Sequence, residues 1–343
     1  MKKKILSIIL ALGLTTSFLA GCGNSNEKEN KNAKETTKVE ESSKKDESKG
    51  NYPVKIKNFD AQKNEFEVTF KQKPTKVITT NQPATEVMLA LGLEDSLVGT
   101  CYRDNPILPE LEEAYKKVPI LSERYPSKEV VLSKKPDMLF GWSSAFFDKS
   151  LGNVTDWNKK EVNTFIQRNS VLKERTVENE FKDIEEIGKV FNVTEKSDKL
   201  IGDMKAKIED IQKKTKTAKS PVKVLVIEGS GDNKYYAYGK NSLVTDMVEK
   251  AGGTNITDKG GEISLETILE KNPDVIALIS FEMQKSDNKE ISALLNNKSL
   301  QNVNAIKNKK VVDTPLAETY VGGVRVANGI ERLAKGFYPE LFK

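Results

Sequence analysis

Aromatic and arginine side chains gather in a few loops of this chain, and histidine is absent from it altogether. The first half offers Tyr102 and Arg103, Arg124 and Tyr125, then Trp142 and Phe146; the second offers Tyr235, Tyr236, Tyr238, Phe281, Tyr320 and Arg325. Rings present flat apolar walls, and guanidinium groups present fixed, permanently charged donors for carboxylate, phosphate or catecholate oxygen. Such a set suits a large, flat, partly anionic ligand. The plain structural alternative is packing: successive residues of a strand face opposite ways, so each tyrosine of the 235–238 run serves equally well as a core residue. Trp142 and Arg325 stand in glycine-flanked loops and carry the binding reading furthest.

Other chemistries find little support. Without histidine, the commonest transition-metal ligand and the usual base for a serine or cysteine nucleophile are both missing. There is no Cys-x-x-Cys pair, no Walker loop and no Gly-x-Ser-x-Gly elbow. Gly229-Ser-Gly231 follows a predicted strand, yet neither a third glycine nor a helix comes next, so a dinucleotide turn is not expected. Carboxylates are plentiful and none is singled out as an acid or base. The net charge of +5 is spread among acids, which gives no nucleic-acid surface. No metal site and no cofactor are expected.

A second group of residues is set apart by repetition. Ser127, Glu129, Leu132, Pro136 and Asp137 recur at the same offsets as Ser264, Glu266, Leu269, Pro273 and Asp274, and each copy runs into an apolar segment. In both, serine reads as an N-cap, glutamate falls in the first helical turn, and proline closes the helix before a strand. A first-turn glutamate is favoured by the helix dipole by about 0.3–1 kcal/mol, which accounts for it without function. A capping box would place it one position later, so at this position it is freer to point outward. One exposed acid at the same place on each half makes a two-point docking surface for a partner that is itself a two-fold dimer.

The elements that position these residues alternate between strand and helix. Residues 54–70 alternate apolar and polar around Asp60-Ala-Gln-Lys-Asn64, which predicts a β-hairpin. A strand at Lys76–Thr79, a helix at Thr85–Leu91 closed by Gly92, and a strand at Ser96–Gly99 follow, then the strand into Phe140 and another at Asn163–Ile166. Phe181, Ile184, Ile187 and Val190 mark a helix face, a break falls at 192–194, and Leu200, Met204, Ile208 and Ile211 mark a second helix roughly 33 Å long. A helical bridge of that length predicts only modest closure of the halves. Beyond it, the apolar run 222–227 reads as a buried parallel strand, with further strands at Val275 and at 310–313, a helix over 242–251 and a last helix over 322–336. The expected fold is α/β, two doubly wound parallel-sheet lobes joined by a single long helix, with the ligand cleft between the lobes beyond the carboxyl ends of the strands.

The N-terminus carries its own signals. Lys2, Lys3 and Lys4, an apolar run from Ile5 to Ala20 and then Leu19-Ala20-Gly21-Cys22 make a basic region, an apolar region too short to span a bilayer, and a small-residue cleavage site. This end resembles a bacterial lipoprotein signal, with Cys22 the residue that becomes lipidated; a plain secretory signal would instead leave Cys22 as a free thiol. Residues 23–50 have almost no apolar side chains and read as a disordered tether, holding the folded part on the order of 30 Å from the lipid. With Cys22 lipidated, Cys101 has no partner and is expected as a buried small side chain. The resulting division is a signal peptide over 1–21, lipidated cysteine and tether over 22–50, a first α/β lobe over 51–175, a helical bridge over 176–219 and a second lobe over 220–343.

From about Pro53 to its end the chain resembles the helical-backbone class of ABC-transporter substrate-binding lipoproteins, which serve iron–siderophore, haem and cobalamin uptake. The resemblance rests on Pro74 to Ile78, Thr85 to Gly92, both copies of the repeated motif, Ala251 to Asn255 and Ala305 to Val312, in that order and spacing, together with the lipobox. It implies two lobes joined by a long helix, a monomeric receptor rather than an enzyme, and a lipid-anchored place on the extracytoplasmic face of the cell membrane. It also implies that Glu129 and Glu266 pair with arginines of an ABC permease dimer. Relatives that bind bare zinc or manganese use histidine, which is lacking here, and haem receptors use tyrosine or histidine. A chelated ferric ion, saturated by its own oxygens, needs only rings and positive charge, and so an Fe(III)-siderophore is the expected ligand, with a corrinoid or tyrosine-ligated haem as alternatives. Two other classes make different predictions: an exported hydrolase with paired carboxylates would show turnover, and an adhesive surface protein would bind no small ligand.

Overall fold

The computed structural model of the protein describes residues 51–231, 234–281, 289–320 and 322–343, all within one unit spanning Glu47–Lys343. The segments expected as signal peptide and tether, and Cys22 between them, lie outside the described residues. An antiparallel hairpin opens the described chain, β1 (Val54–Phe59) paired with β2 (Glu65–Phe70), and its turn is tied by Asp60, whose carboxylate accepts from the backbone N–H groups of Gln62 and Asn64 at 2.9 Å. That is the chemistry that makes aspartate a turn residue.

Five short parallel strands follow: β3 (Val77–Thr79), β4 (Leu97–Cys101), β5 (Ile120–Ser122), β6 (Met138–Gly141) and β7 (Asn163–Ile166). Their order across the sheet is β5-β4-β3-β6-β7, so the chain reverses direction of winding between β3 and β6. In open α/β sheets such a reversal opens a crevice at the carboxyl ends of the strands. The connecting helix Gln82–Ala90 begins three residues earlier than its periodicity predicts. Asn81 is its N-cap, accepting from the Ala84 N–H at 3.1 Å, and Pro83 sits in the first turn, where a missing N–H costs nothing.

The second sheet comprises β8 (Val222–Gly231), β9 (Lys234–Ala237), β10 (Gly253–Asn255), β11 (Gly261–Ile263), β12 (Val275–Ser280) and β13 (Val311–Pro315). Strands β8, β10, β12 and β13 are parallel, as expected, but β9 and β11 form an antiparallel edge beside β8. The residues Tyr235 to Tyr238 therefore lie on a hairpin arm that returns alongside β8, a turn-dependent pairing that strand and helix alternation does not signal.

Two helices stand between the sheets in the chain, Val177–Val190 and Thr194–Thr215, separated at Asn192, whose φ of +55° ends the first. Their buried faces are Phe181, Ile184, Ile187 and Val190, then Met204, Ile208 and Ile211. These join one continuous apolar core with Val77 and Phe140 of the first sheet, Val224 and Ala277 of the second, and Ile330 and Phe337 of the helix Val326–Phe337. Each lobe has a further core of its own on the far face of its sheet, around Ile78 and Leu139 in one and Ile276 and Leu278 in the other.

The repeated motif is one structural unit used twice. Helices Lys128–Ser133 and Leu265–Lys271 each start immediately after the motif serine. In each copy the aspartate then clamps the start of the neighbouring parallel strand: Asp137 accepts from Thr75 N–H at 2.8 Å and Lys76 N–H at 3.0 Å, and Asp274 accepts from Lys223 N–H at 3.1 Å. Their own N–H groups return the bond to the carbonyls of Lys76 and Lys223, at 3.0 and 2.9 Å. The repeat thus extends to a lysine at the mouth of the partner strand.

Candidate functional site

The carboxyl ends of the first sheet supply one wall of a cleft. Tyr102 follows β4 in a left-handed conformation, φ +58°, which a side chain larger than glycine adopts only under constraint. Gln82 provides that constraint: its N–H donates to the Tyr102 carbonyl at 3.2 Å, and its Oε1 accepts from the N–H groups of Asp104 and Asn105 at 3.1 and 2.9 Å. Tyr125, after β5, stacks against Tyr102 with ring centres 4.9 Å apart and shares a hydroxyl contact of 2.7 Å with Ser144. The Arg124 guanidinium lies 4.8 Å from the Tyr102 ring centre. Trp142 comes straight off β6, at the reversal of the sheet.

The second lobe supplies the facing wall. Tyr320 follows the short helix Leu316–Thr319 beyond β13, and its ring centre is 5.6 Å from that of Trp142 and 5.9 Å from that of Tyr238. Tyr236 lies 5.5 Å from Tyr238, so four rings, Trp142, Tyr320, Tyr238 and Tyr236, run in sequence from one lobe to the other. Tyr235, between them in number, faces the opposite way and packs on the second lobe's own core. The cleft has two portions of about 880 and 810 Å³, which share Phe281, Leu316 and Tyr320 as their common boundary. Each is within the range of cavities that enclose small ligands.

Electrostatics divides these groups. Burial pushes the Asp104 carboxyl up to about 6 against the opposing charge of Arg124. Burial also pushes the Tyr125 phenol up to about 12. Tyr238 is raised further, by burial and then by the Glu228 carboxylate to which it donates at 2.5 Å. Cys101 lines the cleft as a buried free thiol, raised to about 12 by burial and thus unreactive. Among the described residues no group of acids and cysteines is placed to hold a metal ion.

Of the predicted binding residues, Tyr102, Arg103, Arg124, Tyr125, Trp142, Tyr236, Tyr238 and Tyr320 line the cleft. Two do not. Phe146 is fully buried in the first lobe's own core, because the short 3-10 turn Ser143–Phe146 carries it under the sheet rather than into the crevice. Arg325 is buried too, drawn inside by the Glu86 carboxylate, with its Nε 2.6 Å from Glu86 Oε2 and its Nη2 2.6 Å from the Pro106 carbonyl. The signal for that pairing was Glu86 itself, one acid inside the apolar helix Gln82–Ala90. Missed entirely were Lys173, Arg175, Lys240 and Lys259, which line the second-lobe portion.

Glu129 and Glu266 stand away from the cleft, on the exposed first turns of the repeated helices. Each carboxyl is held below its ordinary value first by the hydroxyl of its cap serine, Ser127 or Ser264, and then by its own backbone N–H. Ser127 also accepts from Val130 N–H at 3.4 Å, whereas the Ser264 side chain makes no such cap bond. Beside each acid an equivalent leucine is left exposed, Leu132 at 42% and Leu269 at 37%.

The family described as Periplasmic binding protein matches residues 77–317. The chain is 30% identical over 346 positions to the uncharacterized ABC transporter substrate-binding lipoprotein YvrC of Bacillus subtilis (strain 168), covering 99% of each. It is 24% identical over 294 positions to the petrobactin-binding protein YclQ of the same organism, covering 80% of this chain and 88% of that one. A solved periplasmic binding protein from Veillonella parvula DSM 2008 is similar with a TM-score of 0.77 at 32% identity, over 85% of this chain and 93% of that one.

Proposed function

The chain belongs to the periplasmic binding protein family, as an ABC-transporter substrate-binding protein, and we propose that it captures a ferric ion already wrapped in an organic chelator. The observation that carries this reading is the run of rings from Trp142 through Tyr320 to Tyr236, which spans both lobes. A chelate whose iron is saturated by its own oxygens needs flat apolar walls and positive charge, and both are present. A relative known as a petrobactin-binding protein supports the same class. Haem held by a tyrosine is the competing reading, and two of the cleft phenols are poorly suited to that role. A phenolate ligand is favoured by a lowered pKa, while Tyr125 and Tyr238 are both raised, the latter by a carboxylate that keeps its proton in place.

Delivery is proposed to run through Glu129 and Glu266, one on each lobe, meeting arginines of a two-fold permease. The exposed Leu132 and Leu269 add an apolar contact beside each acid. Anchoring is proposed through lipid on Cys22 on the outer face of the membrane, in keeping with a relative named as a lipoprotein. Among the described residues no helix is long and apolar enough to cross a membrane.

The deciding experiment is the visible absorption spectrum and mass of whatever the purified protein retains after incubation with spent iron-starved culture medium. A ferric chelate is expected, with its ligand-to-metal charge-transfer band. A haem Soret band or corrinoid bands would overturn the chelate in favour of those ligands, and retention of nothing from any of these sources would sink the receptor assignment to this ligand group.

A further inference from the structure

The two portions of the cleft differ in charge. On the first-lobe side Arg103 and Arg124 are matched by Asp104 and Glu123. On the second-lobe side four cations, Lys173, Arg175, Lys240 and Lys259, face two acids among the described residues, Glu228 and Asp258. Glu228 is already engaged by the Tyr238 hydroxyl. No ion pair joins any of the four cations to a carboxylate among the described residues, although nearby lysines do pair: Lys234 with Glu262 at 3.0 Å and Lys250 with Asp246 at 3.2 Å.

Solvent-facing lysines are common and by themselves mean little. Here, however, they share one concavity, where low-dielectric walls concentrate a field of one sign. Arg175 is more than a rim charge. It is half-buried, its backbone N–H donates to the Asn241 carbonyl of the second lobe at 3.2 Å, and the next residue, Thr176, caps the helix Val177–Val190. Thr176 is itself held from the first lobe, its N–H donating to Asn169 Oδ1 at 3.0 Å. The Arg175 guanidinium lies 5.7 Å from the centre of the Tyr320 ring, the ring that both portions of the cleft share. A guanidinium beside a flat apolar ring suits an anionic group that meets the cation at the edge of that ring.

Ferric chelates differ in charge. Each catecholate arm is doubly ionised, so a ferric tris-catecholate is strongly negative; each hydroxamate arm is singly ionised, so a ferric tris-hydroxamate is neutral. We propose that Lys173, Arg175, Lys240 and Lys259 form an anion-binding wall that makes this receptor selective for net-negative ferric chelates, with catecholate or carboxylate arms, over neutral hydroxamate chelates. The proposal rests on the receptor reading given above and specifies its ligand class. The negative arms lie against the second lobe and the rings Trp142 and Tyr320 cover the chelate from the side.

The test measures quenching of tryptophan fluorescence, which Trp142 reports from inside the cleft, using ferric enterobactin as the tris-catecholate and ferrichrome as the neutral tris-hydroxamate. The unaltered protein is expected to bind the former on the order of tenfold more tightly or better, with an affinity that falls as salt is raised. The quadruple variant Lys173→Gln, Arg175→Gln, Lys240→Gln and Lys259→Gln is expected to lose on the order of tenfold for ferric enterobactin and to leave ferrichrome unchanged. Arg175→Lys, which keeps the charge but not the planar fork, is expected to fall between the two. Equal binding of both chelates, or a quadruple variant that keeps its thermal midpoint and its ferric enterobactin affinity, would overturn the anion wall while leaving the receptor reading intact. Failure of both chelates to bind the unaltered protein would count against the ferric-chelate reading itself.

Discussion

Glu86 and Arg325 lie 239 positions apart in the chain and meet in a buried two-pronged ion pair, Arg325 Nε donating to Glu86 Oε2 at 2.6 Å and Nη2 to Glu86 Oε1. The acid sits on the helix Gln82–Ala90 of the first lobe, and the arginine enters the helix Val326–Phe337 that packs on the second sheet. Two further bonds cross in the same region, from Ala317 N–H to Asn105 Oδ1 at 2.9 Å and from Gly323 N–H to Glu180 Oε2 at 3.0 Å. Removing one partner of such a pair strands a buried charge. Arg325→Met is therefore expected to destabilise the protein by about 3–5 kcal/mol in urea unfolding, and Glu86→Met with Arg325→Met by less than the two single changes summed. Ligand affinity in the surviving folded fraction is expected to hold, since neither side chain lines the cleft.

Arg325 also shows where sequence reading reached its limit. An arginine beside two glycines reads the same whether it faces a ligand or a carboxylate 239 positions away, because the partner is a fact of tertiary packing. Local signals fared better. The turn at Asp60, the helix break at Asn192 and the repeated Ser-x-Glu units were legible because each depends on residues a few positions apart. Most of the aromatic cleft was legible because strand ends in an α/β sheet are where ligands bind. The basic wall was not, since Lys240 and Lys259 look like any solvated lysine until β9 and β11 fold back beside β8 and bring them to one concavity.

The matched acids lead to a prediction that separates binding from delivery. Reversal of both, Glu129→Lys with Glu266→Lys, is expected to abolish iron-dependent uptake while the purified variant binds its chelate with unchanged affinity. Leu132→Ser with Leu269→Ser is expected to weaken uptake by a smaller factor, as exposed leucines flanking a charged contact contribute by excluding water. Loss of chelate binding by the double reversal would remove the assignment of these acids to the permease.

A buried acid gives the fold a pH dependence of unusual sign. Glu180 is fully buried near the junction of the lobes, accepting from Asn169 Nδ2 at 2.6 Å and from Gly323 N–H. Burial, aided by the charge of Asp183, pushes its carboxyl from an ordinary 4.5 up to about 8. A group that binds its proton more tightly folded than unfolded contributes stability that is complete below the unfolded value and is lost as pH rises through the folded one. Between pH 4.5 and 8 this residue therefore makes the protein less stable as pH rises. Glu180→Gln is expected to flatten that slope and to raise the thermal midpoint at pH 8 by on the order of 5 °C, read by circular dichroism. An unchanged slope in the variant would show that Glu180 is not the titrating group.

Asp104 places a second titration inside the cleft, where it bears on ligand binding as well as on stability. Its carboxyl is raised to about 6 by burial, so it is charged above that pH and neutral below it. Charged, it offsets Arg124 and leaves the first-lobe wall without net attraction for an anion. Neutral, it leaves the first-lobe wall with a net positive charge. The contribution of Asp104 to the affinity for an anionic chelate is thus expected to turn favourable as pH falls through 6, and Asp104→Asn is expected to bring that state to pH 7.5, tightening ferric enterobactin binding there by roughly three- to tenfold. At pH 5.5 the variant and the unaltered protein are expected to differ by much less, and comparing the two proteins at each pH cancels any change in the chelate itself. A variant that binds no more tightly at pH 7.5, with the fold intact, would mean that Arg124 meets the ligand regardless of the charge on Asp104.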